Sequence, residues 1–165
     1  MLKRILFALD SSESGQVALS FAMSPAGPGT AVRVLHINEF ELGGRGLTVE
    51  TAEEAISLVR DAVGQLQECG IPATGLASVS SCFGIADYIS AEAERWSADA
   101  IVLGSCRRRG WRRMLSQGIR ERLLRLTCLP VLTAPAPLRV VSPQLAVEAG
   151  GDAASGRRPL SQPPR

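Results

Sequence analysis

A chain of 165 residues that is 45% apolar and 21% charged has the make-up of one ordinary globular domain, long enough to bury a core. Its apolar runs fall far short of the roughly 20 residues that a membrane-spanning helix requires, and no export signal is recognisable, so a cytoplasmic location is expected. The net charge of +2 hides a separation: between Arg107 and Arg125 eight arginines stand against one acid, Glu121, which leaves the body of the domain acidic and draws anions to one end only.

Arg4–Leu9 (RILFAL) is a continuous apolar run between charges, as expected of a strand covered on both faces, and it ends at Asp10. Ser11 or Ser12 then offers an N-cap, and Val17, Ala18, Phe21 and Ala22 recur at helical spacing, predicting a helix from about Glu13 to Met23. The breaker cluster SPAGPG follows, and Ala31–Ile37 (AVRVLHI) resumes as a strand. Asn38–Gly46, with Gly43 and Gly44 at its centre, is expected to be a surface loop. The next helix carries Ala52, Ala55, Ile56, Val59, Val63 and Leu66 on one face and stops at Gly70 and Pro72. Thr74–Ser80 is a weaker strand, and the helix after Gly84 has Ile85, Ile89, Ala93 and Trp96 on its inner side.

Ala100–Leu103 is a short buried strand, left through a glycine-serine turn and an arginine-laden loop. A helix opens near Gly118 and runs to Leu126, and Pro130–Ala134 is the last strand. Strict alternation of strands with helical crossovers predicts a parallel sheet covered on both faces, a three-layer α/β domain over residues 1–136. Residues 137–165 hold too few large apolar side chains to repay their ordering entropy and are expected to form a mostly disordered tail.

Few residues carry chemistry of their own. The cysteines Cys69, Cys82, Cys106 and Cys128 are widely spaced and the chain has one histidine, which argues against a zinc or dithiol site and for buried or incidental thiols. Cys106, set among arginines, is the thiol to watch. His36 falls inside a core strand, where a satisfied structural role outweighs a catalytic one, so no enzymatic activity is expected. With 4% aromatic residues and an acidic body, the arginine cluster is poorly equipped to stack nucleic-acid bases. A phosphoacceptor receiver domain would need a second acid beside Asp10 and a lysine late in the chain, and neither is present.

Four stretches in this order, KRILFALDSSESGQVALSFA, VRVLHI, SADAIVLGS and IRERLLRLTCLPVL, resemble the universal stress protein family over about residues 2–134. The resemblance implies a Rossmann-like, adenine nucleotide alpha hydrolase-like fold: an open five-stranded parallel sheet in the order 3-2-1-4-5, in a dimer that in many members binds ATP. Asp10 matches the acid that contacts adenosine, Ile37 an apolar position lining the adenine, and Leu103 and Gly104 the turn after the fourth strand. Members that bind ATP resemble glycine, two residues, glycine, nine residues, glycine, then serine or threonine, because phosphates approach the main chain too closely for a Cβ. That pattern falls here on Gly104, Arg107, Gln117 and Gly118, so only the first glycine stands in place.

If the site is retained, the resemblance implies that Ser105, Arg107, Gln117, Gly118 and Ile119 are nucleotide-binding positions as well. The expectation is a dimeric regulatory or partner-binding protein with weak or absent binding of ATP and magnesium. The alternative is a sensor that holds ATP, AMP or another anion through Asp10 and the arginine-rich loop. Val131, Leu132 and Thr133, on an edge strand, are expected to pair with a second copy, and a further protein partner is expected without the sequence naming it.

Overall fold

The computed structural model describes residues 2–11, 19–21, 23–27, 29–40, 48, 50–81, 83–104 and 112–134, with residues 112–117 described by their backbone. The first apolar run forms β1 (Arg4–Leu9), followed by β2 (Ala31–Phe40), α1 (Ala52–Glu68), β3 (Ala73–Ser81), α2 (Ile85–Arg95), β4 (Ala100–Leu103), α3 (Arg112–Leu126) and β5 (Val131–Thr133). Residues 19–21 and 23 are also helical, within the stretch read as the first helix. The loop 41–47, Cys82, Cys106 and the tail from residue 135 lie outside the described residues.

The strands form one parallel sheet in the order β3-β2-β1-β4-β5. β1 takes the centre because it is apolar on both faces: Ile5, Leu6 and Phe7 expose nothing. Their side chains alternate across the sheet. Ile5, Phe7 and Leu9 join Val34, Val59 and Leu66 in a core under α1, whereas Leu6 joins Leu35, Ile89 and Leu123 in a second core under α2 and α3. Each such side chain contributes about 1.5–3 kcal/mol by leaving water.

α1 begins at a capping box, in which the Glu54 N–H donates to Thr51 Oγ1 at 3.2 Å and the Thr51 N–H donates to Glu54 Oε2 at 2.8 Å. It ends where Gly70 turns the chain with φ +75°. Ala55, Val59, Ala62 and Leu66 form its buried stripe. Ile56 does not: it is 50% exposed, because it lies about 100° around the helix from Ala55. α1 rests directly on β3, and a Cβ on Gly75 would meet Val59 Cγ1 at 2.3 Å.

Four elements differ in their bounds from the sequence expectation, β3 by one residue at each end. β2 continues to Phe40 instead of ending at Ile37, since Asn38, Glu39 and Phe40 pair with Val79, Ser80 and Ser81 of β3. α3 starts at Arg112, not near Gly118; its first turns hold good helix formers, and a helical glycine costs only about 1 kcal/mol relative to alanine. β5 is shorter than Pro130–Ala134. Of the thiols expected to be buried or incidental, Cys69 and Cys128 are free and exposed.

The amino ends of the strands are tied by charge. Asp99 Oδ2 accepts the N–H of Lys3 at 2.6 Å and of Arg4 at 2.8 Å. These bonds, Arg4's first, hold its carboxyl below the usual aspartate value. On the α2 face Glu92, 1% exposed, takes the Arg33 guanidinium at 2.9 Å and that of Arg95, so a buried carboxylate is shared between two cations.

Candidate functional site

In a parallel sheet of this order the crossovers leave β1 and β4 toward opposite faces, opening a crevice between the two strand tips. Leu19, from the segment after β1, packs in the core under α1, and Leu123, from the helix after β4, packs in the opposite core.

Four of the expected site residues meet at this crevice. Ala8 pairs with Leu103, and the Gly104 N–H donates to the Ala8 carbonyl at 3.1 Å, which brings the turn after β4 alongside Leu9 and Asp10. Leu9 pairs with His36, so Ile37, inside β2, stands beside Asp10 at the tip of β1. Asp10 and Gly104 are half-buried, while Leu103 is buried against the second core.

Ser105 and Arg107 lie outside the described residues. Gln117, Gly118 and Ile119 fall within α3, past the residues whose N–H groups lack an intrahelical partner. Gly118 is exposed, and a Cβ there would meet nothing within 4 Å, so no close approach demands glycine. Ile119 packs against the second core. Val131, Leu132 and Thr133 lie at the β5 edge.

His36 is a satisfied core histidine. It is 2% exposed, with Nδ1 on the Leu9 carbonyl at 2.9 Å and Nε2 on Glu50 Oε2 at 2.9 Å. A carbonyl only accepts, which makes Nδ1 a donor. One step along the same face of β2, Asn38 Nδ2 donates to the Glu50 carbonyl at 2.7 Å and Asn38 Oδ1 accepts the Glu50 N–H at 3.3 Å. Together His36 and Asn38 clasp the segment that enters α1 to the tips of β1 and β2. Neither Asn38 nor Glu50 was expected at the site: Asn38 alternates with His36 along β2, a usable signal, whereas Glu50 lies outside any strand and gives none.

Among the described residues no group of three His, Cys, Asp or Glu side chains is placed to hold a metal ion, and no helix is long and apolar enough to cross a membrane.

A parallel sheet wound on both faces, with an acidic residue and a glycine turn bordering its switch point, defines a Rossmann-like α/β protein. The model of the universal stress protein family matches residues 1–135. The chain belongs to that family. It is similar to a universal stress protein family structure from Burkholderia pseudomallei, with 22% identity, 81% of this chain and 96% of that one covered, and a TM-score of 0.61. It is also similar to the Archaeoglobus fulgidus universal stress protein in complex with dAMP, with 24% identity, coverage of 80% and 97%, and a TM-score of 0.59. A family protein from Arabidopsis thaliana with AMP bound shows 16% identity, coverage of 79% and 90%, and a TM-score of 0.55. At these identities the likeness bears on the fold. A search of curated proteins gave no match.

Proposed function

We propose that this protein is a dimeric regulator that acts by binding, and that its crevice takes an adenine nucleoside monophosphate while holding ATP weakly or not at all. The observation that carries this is the unequal state of the two halves of the site. In support, the positions that the resemblance assigns to the nucleoside, Asp10, Ile37, Leu103 and Gly104, stand on neighbouring strands around the tip of β1. The half that would cradle a triphosphate is altered: Arg107 and Gln117 stand where the family pattern has glycine. Gln117 and Gly118 also sit inside α3, where the helix takes up their N–H groups. Relatives holding dAMP and AMP are in keeping with a ligand bearing one phosphate, and the arginines after β4 offer it charge-assisted bonds.

The β5 edge supports the dimer. Ala134 donates to Leu103, so the N–H groups of Val131 and Thr133 face away from β4 and await a second strand. Arg122 and the Leu126 carbonyl face Asp87 and Ser90 of α2, which puts the 56% exposed Leu124 on the opposite flank of α3, where a second copy would cover it. Calorimetric titration of the full chain with AMP, repeated on Asp10→Ala, tests the nucleotide part. Binding that is lost in the variant is expected, and binding unaffected by it would overturn the assignment of the crevice.

A further inference from the structure

At the opposite pole of the sheet, the geometry points to a second binding site: a groove of about 600 Å³ across the amino ends of β1, β2 and β3 that takes a small organic anion built on a planar ring. It owes nothing to the nucleotide crevice, which lies at the carboxyl ends of the strands. The groove exists because both flanking helices stop short of it. α1 ends ahead of Gly70 and the chain returns through Pro72 into β3, while α2 ends at Arg95 with Trp96 as its C-cap. Arg4, Gln67, Pro72, Thr74, Arg95 and Trp96 are among the residues that line the space.

The lining residues carry two cations and no acid. Arg4 Nη1 donates to the Trp96 main-chain carbonyl at 3.2 Å, which holds its guanidinium at the rim of the groove. Arg95 is anchored from behind by the buried Glu92, yet its side chain remains 66% exposed and keeps donors for a ligand. Because Glu92 also serves Arg33 at 2.9 Å, one negative charge is divided between two positive ones and a surplus remains. Asp99, the acid close to Arg4, is occupied by the N–H groups of Lys3 and Arg4 and does not line the groove.

The remaining wall defines the body of the ligand. Trp96 is half-buried against the second core and Pro72 is exposed, and these two supply the apolar, ring-accepting part of the lining. Gln67 Nε2 donates one N–H to the Ala73 carbonyl at 3.1 Å, which orients the amide, and its second N–H, its Oε1 and the Thr74 hydroxyl are the polar contacts of this wall. The volume falls in the range of about 300–1,000 Å³ of small-molecule sites and exceeds what an inorganic ion fills. A carboxylate or phosphate matches the arginine forks, and a ring matches the indole.

The test uses Trp96 as its own reporter. The chain has two tryptophans, so Trp111→Phe in the full-length protein leaves Trp96 alone. Fluorescence is titrated with benzoate, which has ring and charge, benzamide, which has the ring only, and inorganic phosphate, which has the charge only. Benzoate is expected to give a saturable change in the millimolar range, with the other two probes and the Arg4→Gln variant each about fivefold or more weaker, and Arg4→Lys intermediate. Arg4 is exposed and Asp99 grips only its main chain, so the variants keep the amino-terminal tie. Asp10→Ala is expected to leave the curve unchanged. Quenching that rises without saturation, or a curve equal in Arg4→Gln, would overturn the site, and so would a signal abolished by Asp10→Ala, which would place benzoate in the nucleotide crevice.

Discussion

Replacing His36 with phenylalanine keeps the volume of a ring that is 2% exposed while removing both nitrogens. The bond to the Leu9 carbonyl disappears, and the Glu50 carboxylate, whose side chain is 18% exposed, loses its partner. A buried hydrogen bond contributes about 1 kcal/mol and one to a charged group about 1.5–3 kcal/mol, so His36→Phe is expected to cost about 3 kcal/mol in all. For a chain of this size that lowers Tm by roughly 6–12 °C. Thermal unfolding followed by circular dichroism at neutral pH measures it. A double-mutant cycle with Glu50→Leu isolates the His36–Glu50 contact, where a coupling of about 1 kcal/mol or more is expected. A cost below about 0.5 kcal/mol, or zero coupling, would show that the clasp over the strand tips does not hold the site together.

Three further outcomes are expected. Gly75→Ala puts a methyl where Val59 Cγ1 stands at 2.3 Å and should cost about 1–3 kcal/mol by lifting α1 from β3, read as a lower denaturant midpoint; an unchanged midpoint would contradict that packing. With the proposed pairing through β5, the parent should sediment as a dimer and Val131→Asp as a monomer of intact secondary structure, and equal masses for the two would refute that pairing. Asp99, held below its ordinary value of 3.8 by the N–H groups of Arg4 and Lys3, adds stability that is complete above that value and is lost as pH falls through its depressed one. Asp99→Asn should therefore flatten the acid limb of a Tm-against-pH curve measured from about pH 5 to pH 2, whereas an acid limb identical to the parent's would show that these bonds do not matter.

Much of the fold is written in local pattern. The run Arg4–Leu9 has no polar interruption and becomes the central strand, because only a position covered on both faces accepts it. The strand order was accessible through the family resemblance rather than through hydropathy, which does not distinguish one arrangement of buried parallel strands from another. Boundaries set by tertiary contacts escaped: Asn38 and Glu39 look like loop residues, yet β3 pairs with them and Glu50 returns to bind Asn38. The start of α3 escaped for the opposite reason, since Gly118 reads as a helix opening but is merely tolerated inside one. Of the site, Asp10 and Gly104 could be placed from strand ends alone, whereas the clasp around Glu50 joins residues too far apart for any sequence spacing to reveal.

The most direct measurement is a competition between AMP and magnesium-ATP for the same purified protein, expressed as the ratio of their dissociation constants. If the nucleoside half is kept and the triphosphate cradle is lost with the glycines that the sequence replaces at positions 107 and 117, AMP should bind about tenfold or more tighter than ATP. ATP binding as tight as AMP or tighter would show that this loop still receives a triphosphate and would contradict the account.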